Sequence, residues 1–184
     1  MKYQEKNITI EIIHRHSSIA IIAPHGGNIE TGTAEIARYI SGNNYSFYSF
    51  NCLGNIQECK ASHIPSHKFN EPKCIDLLNR TRLVITIHGM HDESDKIIVG
   101  GLYDNHFLVE HFVKLGFCAE SGKFHPRISG TNPDNICNKG KLKKGVQLEI
   151  GSILRILLMN DENLRTSFKK AIDEFIIYIQ KSRP

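Results

Sequence analysis

Two stretches of this chain share one grammar, an apolar run that ends in His-Gly. The first is Ile19-Ala20-Ile21-Ile22-Ala23-Pro24-His25-Gly26-Gly27-Asn28-Ile29-Glu30, and the second is Leu83-Val84-Ile85-Thr86-Ile87-His88-Gly89. Continuous runs of β-branched and small apolar residues suit strands buried on both faces, as in a sheet covered by helices. That restricts the chain to the α/β class. In such sheets functional groups gather beyond the carboxyl ends of the strands. His25 and His88 are therefore expected to meet, with the Gly-Gly pair making a tight turn after the first strand.

The rest of the chain alternates strand and helix signals. Ile8 to Ile13 reads as an edge strand. Thr31-Gly32-Thr33 supplies cap-type residues for a helix through Ile40 that Gly42 ends. Tyr45 to Phe50 is an aromatic-rich strand, and Asn51 to Asn70 reads as a long loop. Glu71-Pro72 opens a helix through Leu78, proline being tolerated in a first turn. Ile97 to Val99, Phe107 to Leu115 and Phe117 to Ala119 read as strand, helix and strand. Glu120 to Lys144 is a second long loop and Val146 to Ile150 a strand. Leu164, Phe168, Ala171, Ile172, Phe175, Ile176 and Ile179 lay an apolar stripe on a final helix. With no repeat, linker or composition break, the expectation is one domain over residues 1–184. Its architecture is α/β, three layers (α/β/α) around a mixed, mostly parallel central sheet.

Composition excludes several classes. A net charge of +4 is far from the dense basic clustering of a nucleic-acid binder. No apolar run approaches the roughly 20 residues that span a bilayer. Met1 to Lys6 lacks the apolar core of a signal peptide. The five cysteines are odd in number and form no CxxC pair, so neither a disulfide framework nor a cysteine-rich zinc site is expected. The thiols are expected to be buried and the protein kept in a reducing cytoplasm or released by cell lysis, and a monomer is expected.

The polar residues at the strand ends carry the chemistry. Two imidazoles and a carboxylate are a common ligand set for catalytic zinc, and the glycines let Glu30 return toward an ion held by His25. Glu149 lies inside Val146-Gln147-Leu148-Glu149-Ile150, where a carboxylate is costly unless paired or functional. It suits a base that deprotonates an attacking water. Other readings stay open at this point. Gly-Gly after a strand can cradle a phosphate, although no nucleotide fingerprint is present. His-Gly-Gly also resembles an esterase oxyanion turn, but no G-x-S-x-G occurs.

Further motifs join these in order: Val99-Gly100-Gly101, Asn135-Ile136-Cys137-Asn138-Lys139-Gly140 and Gly145-Val146-Gln147-Leu148-Glu149-Ile150. Together with Ala23 to Thr33 and Ile87-His88-Gly89, the set resembles the poly-γ-glutamate hydrolase family of bacillus phages and bacterial genomes. The resemblance spans roughly Ser18 to Arg155. It implies a fold similar to the zinc carboxypeptidases, a Zn2+ cofactor, ligands His25, Glu30 and His88, and Glu149 as catalytic base. His63 falls in a family loop of the form His-Ile-Thr-Ser, which implies a part in stabilising the oxyanion or orienting substrate. Here Pro65 replaces the threonine, so no hydroxyl is available at that position.

The implied substrate is an anionic γ-glutamyl polymer with a free α-carboxylate on each residue. Asn135, Asn138, Lys139 and Arg155 are the candidates for binding it, Arg155 as a bidentate clamp. A zinc amidase or peptidase for another acyl-amino acid or cell-wall peptide is the neighbouring alternative. A non-catalytic binding protein of the same fold is the alternative of another class.

Overall fold

The structure is a computed structural model that describes residues 7–181. The segment read for a leader, residues 1–6, lies outside the described residues. Seven strands form one sheet in the order β1-β3-β2-β4-β7-β5-β6. The strands are β1 (Ile8–Ile13), β2 (Ile19–Gly27), β3 (Ser46–Cys52), β4 (Leu83–Gly89), β5 (Lys96–Gly100), β6 (Cys118–Ser121) and β7 (Val146–Ile150). The helices are α1 (Thr33–Ser41), α2 (Ile56–Ala61), α3 (Pro72–Arg80), α4 (His106–Lys114), α5 (Ser152–Asn160) and α6 (Glu162–Lys181). Only β1–β3 and β5–β7 pair antiparallel, so the sheet is mixed and mostly parallel.

Side-chain alternation divides the core into two layers. Ile19 and Ile21 of β2 and Ile85 and Ile87 of β4 face one way, under Ile36, Leu108, Leu154, Phe168 and Phe175 from α1, α4, α5 and α6. Ala20, Ile22 and Val84 face the other way, under Cys74, Leu77 and Leu78 of α3 with Phe69 and Ile136. At about 25 cal/mol per Å2, each large side chain sealed this way contributes roughly 1.5–3 kcal/mol.

Four local features differ from the sequence reading. First, β2 runs on through Pro24, His25 and Gly26, so these residues belong to a strand and not to a tight turn. The turn comes later, before Thr33. Proline is tolerated because the register against β3 slips between Ala23 and Gly26, a bulge where no ladder N–H is required. Pairing with β4 stops earlier, at Ile22 opposite Thr86. Second, the supposed loop 51–70 contains α2, whose capping box joins Asn55 and Glu58.

Third, the chain forms α5 between β7 and the final helix. Its apolar residues are spread around the helix, with Ile153, Ile156 and Leu157 exposed, and so show no clean period. Fourth, Cys52 and Cys59 form a disulfide that ties the end of β3 to α2. Spacing without CxxC hides the pair, because α2 itself folds Cys59 back onto β3. Of the free thiols, Cys74 and Cys137 are buried, whereas Cys118 is exposed. Among the described residues no helix is long and apolar enough to cross a membrane.

Candidate metal centre

The centre lies where β2 parts from β4. His25 sits near the end of β2, and the chain then turns so that the Glu30 amide donates to the His25 carbonyl at 3.0 Å. Thr33 Oγ1 donates to the Glu30 carbonyl and fixes the same turn. Gly27 has φ +66, and a Cβ there would lie 2.3 Å from the Cys52 carbonyl oxygen, so this position admits only glycine. His88 stands at the end of β4, with Glu149 of β7 beside it in register. His25, Glu30, His88 and Glu149 are all buried.

Hydrogen bonds fix how the imidazoles face. His25 Nε2 lies 2.7 Å from the Ile64 carbonyl oxygen, an acceptor only, so Nε2 carries the proton. Nδ1 then points at Glu30 Oε1, 2.9 Å away, and at His88 Nδ1, 3.2 Å away. His88 Nδ1 is also 3.5 Å from Glu30 Oε2, and its Nε2 lies 3.4 Å from Ser66 Oγ. Glu30 Oε2 accepts the Gly89 N–H at 2.8 Å. With neutral imidazoles and the His88 proton on Nε2 toward Ser66 Oγ, two nitrogen lone pairs and a carboxylate converge on one point. That arrangement suits a cation, with the outer nitrogens tied off by a carbonyl and a hydroxyl as zinc-ligating histidines usually are. The donor set fits zinc.

His63 adds a further imidazole above the site. It offers an atom within 4.8 Å of the donors of His25 and Glu30. Its ring lies 4.2 Å from that of His25, yet its Nε2 is 3.9 Å from Glu30 and its side chain is 42% exposed. His88 is buried, with Nδ1 3.2 Å from His25 Nδ1 and 3.5 Å from Glu30, and completes the more enclosed set.

Electrostatics separate the two carboxylates. Burial raises Glu30, but the charges and hydrogen bonds of His25 and His88 outweigh it and hold the carboxyl well below the usual range. Burial pushes Glu149 up to about 7, with Glu30 adding to the rise against the pull of His88, Arg155 and Gln147. One carboxylate is thus kept anionic and the other is able to exchange a proton near neutrality. Burial, followed by the charge of His25, lowers His63.

An amide chain orients Glu149. Asn135 Nδ2 donates to Gln147 Oε1 at 2.8 Å, and Gln147 Nε2 donates to Glu149 Oε1 at 2.9 Å. A cavity of about 980 Å3 opens over these groups, lined also by Ser66, His67, His91, Arg127 and Ser129.

The remaining expected substrate residues fall elsewhere. Asn138 is buried and holds backbone. Its Oδ1 accepts from the amides of Leu102 and Gly145, and its Nδ2 donates to the carbonyls of Gly130 and Asn132. Arg155 is buried against Gly89, where a Cβ would lie 2.6 Å from its guanidinium. It donates to the carbonyls of Thr31, Met90 and Ile150. Lys139 pairs with Asp134 beside a neighbouring cavity of about 920 Å3. Asn135 does line the main cavity, with its amide engaged by Gln147. Sequence reasoning missed Gln147, although it lies two residues before Glu149 on one strand face, a visible signal. Ser66 and Arg127 sit in irregular segments that give none.

The profile of the poly-gamma-glutamate hydrolase family matches residues 1–181. The chain belongs to this family. A member of UPF0714 from Bacillus subtilis (strain 168), the SPbeta prophage-derived protein YoqZ, is 38% identical over 144 residues. The match covers 77% of this chain and 52% of YoqZ, so the chain spans about half that relative's length. YndL of the same organism is 34% identical, over 82% of this chain and 60% of its own. Among solved structures, a bacteriophage poly-gamma-glutamate hydrolase superposes with a TM-score of 0.81 at 28% identity. That match covers 92% of this chain and 90% of the phage chain. A zinc-free apo form of YNDL superposes at 0.84 with 29% identity, over 92% and 89% of the two chains. Membership of a hydrolase family and the shared α/β fold are thereby shown.

Proposed function

We propose that this chain is a zinc-dependent hydrolase of the γ-glutamyl amide bonds of poly-γ-glutamate, with His25, Glu30 and His88 as metal ligands and Glu149 as general base. The observation that carries the reading is the convergence of His25 Nδ1, His88 Nδ1 and Glu30 around one point, with the His25 proton held on the far side by Ile64. The phage enzyme's activity and the zinc-free description of YNDL support both the substrate and the metal. When bound, zinc supplies a Lewis acid for the amide carbonyl and lowers the pKa of an attacking water.

The protein's own groups do the rest. The Ile64 carbonyl holds the His25 tautomer, and Ser66 Oγ lies against the outer nitrogen of His88. Glu149 takes a proton as water attacks the carbonyl carbon and returns it to the departing nitrogen, so the cleavage balances with one water consumed. Gln147 and Asn135 keep its carboxylate aimed. His63, at the rim, orients the carbonyl being attacked.

Metal analysis and one digestion test the reading. Stoichiometric zinc, lost in His25→Ala and His88→Ala, together with chelator-sensitive release of γ-linked oligomers, is expected. An imidazolium at His25 would also satisfy Glu30, and a purified protein without affinity for zinc would establish that alternative. Glu149→Gln should keep the metal and lose turnover. Full activity in that variant overturns the assignment.

A further inference from the structure

One wall of the cavity, residues 126–133, supplies neither a ligand nor the base of the centre described above. The carbonyls of Ile128, Ser129, Gly130 and Asn132 are turned into the protein. Ile128 O accepts from Gln147 Nε2 at 3.1 Å, Ser129 O from the Gly101 amide at 2.7 Å, and Gly130 O from Asn138 Nδ2 at 2.9 Å. A planar trans peptide directs its N–H opposite to its C=O. The amides of Ser129, Gly130 and Thr131 therefore face away from the interior, and none has a protein acceptor among the described residues.

Arg127 opens the same wall. It is exposed, and its guanidinium has no hydrogen bond or ion pair among the described residues. Asp92 lines the cavity as well, but makes no ion pair with it. A guanidinium and three unpartnered N–H groups on one wall supply donors that suit a carboxylate. The interior bonds pin the backbone beforehand, so little order is lost on binding. A solvated arginine on a mobile loop would not show four carbonyls of its wall, that of Asn132 included, each held by an interior donor.

We propose that this wall is the carboxylate subsite of the enzyme, in which Arg127 and the amides of Ser129, Gly130 and Thr131 bind the free α-carboxylate of a γ-linked glutamate beside the scissile amide. The inference rests on the poly-γ-glutamate reading and deepens it. An α-linked peptide has no carboxylate in that position, so the wall selects for γ-linkage. Cations of the substrate site thus come from a segment outside the motifs that place Lys139 and Arg155 near the centre in sequence.

The test compares the zinc-loaded wild type with Arg127→Gln and Arg127→Lys. Two substrates are used: poly-γ-glutamate, and a γ-linked oligomer whose α-carboxylates are carboxamides. For the carboxylate substrate Arg127→Gln is expected to raise KM at least tenfold with kcat within about twofold, the size usual for a lost charge-assisted bond. Arg127→Lys should recover part of that loss, since a point charge replaces a fork. On the carboxamide oligomer all three proteins should behave alike. An unchanged KM in Arg127→Gln, with wild type active on poly-γ-glutamate, overturns the subsite alone. A wild type inert on poly-γ-glutamate but active on another amide overturns the substrate reading and the subsite with it. Arg127 is exposed, and matching thermal melts of the three proteins show that the differences belong to binding.

Discussion

Replacing Glu149 by glutamine should stabilise the metal-free protein while destroying its activity. The carboxyl rises from 4.5 to about 7 on burial. Because the folded value lies above the unfolded one, the folded chain binds the extra proton between about pH 4.5 and 7. Stability therefore falls as pH rises through that window, and above it the full cost applies. At 1.36 kcal/mol per pKa unit the cost is about 3 kcal/mol. A neutral amide removes it and keeps an oxygen to accept from Gln147 Nε2. For a chain of this length that corresponds to about 6–12 °C in Tm at pH 8, shrinking toward zero near pH 4. Bound zinc offsets the burial cost with its own charge, so adding zinc should reduce the advantage of the variant. Turnover should fall by about 10²–10⁴-fold, the usual share of a general base. Paired melts at pH 4 and pH 8, with and without zinc, read all of this. A variant no more stable than wild type at pH 8 without metal would refute the account of Glu149 as a strained, buried carboxyl.

Other outcomes follow from single features. Zinc titrated into chelator-stripped protein should raise Tm with metal concentration, by about 2.7 kcal/mol of stability at a hundredfold excess over Kd. His88→Ala should abolish that rise in the same melts. Cys52→Ser with Cys59→Ser should cost about 2.5 kcal/mol, the loop-closure value for so short a ring, measured as a urea midpoint that reductant no longer alters. Asn138→Ala leaves the amides of Leu102 and Gly145 without their acceptor and takes one donor from each of two carbonyls, and should cost about 2–4 kcal/mol in urea unfolding.

The parts of this fold most legible in the sequence were those set by burial on both faces. Val146 to Ile150 was read with its observed bounds, and the runs at Ile19 and Leu83 pointed to central strands, because nothing but a covered sheet takes such runs. The meeting of His25 and His88 follows from parallel neighbours that end at one edge. Long polar side chains were not legible. Arg155 and Asn138 satisfy carbonyls and amides that come from distant segments, and the sequence does not distinguish a donor meant for backbone from one meant for substrate. Helix α5 was hidden because three of its apolar residues face solvent. The disulfide was hidden because its geometry depends on a helix that had itself been read as loop.

The proline in β2 has a consequence for the stiffness of the centre. A strand in mid-sheet that cannot keep its ladder must lean away from a neighbour. Here β2 leaves β4 after Ile22 while β4 stays zipped to β7 as far as Gly89. The gap that receives the metal is therefore a seam opened in the sheet, and its two lips are strands locked on their outer sides. Ligands mounted on such lips move only if the sheet moves. The price of that rigidity is borne by one missing N–H.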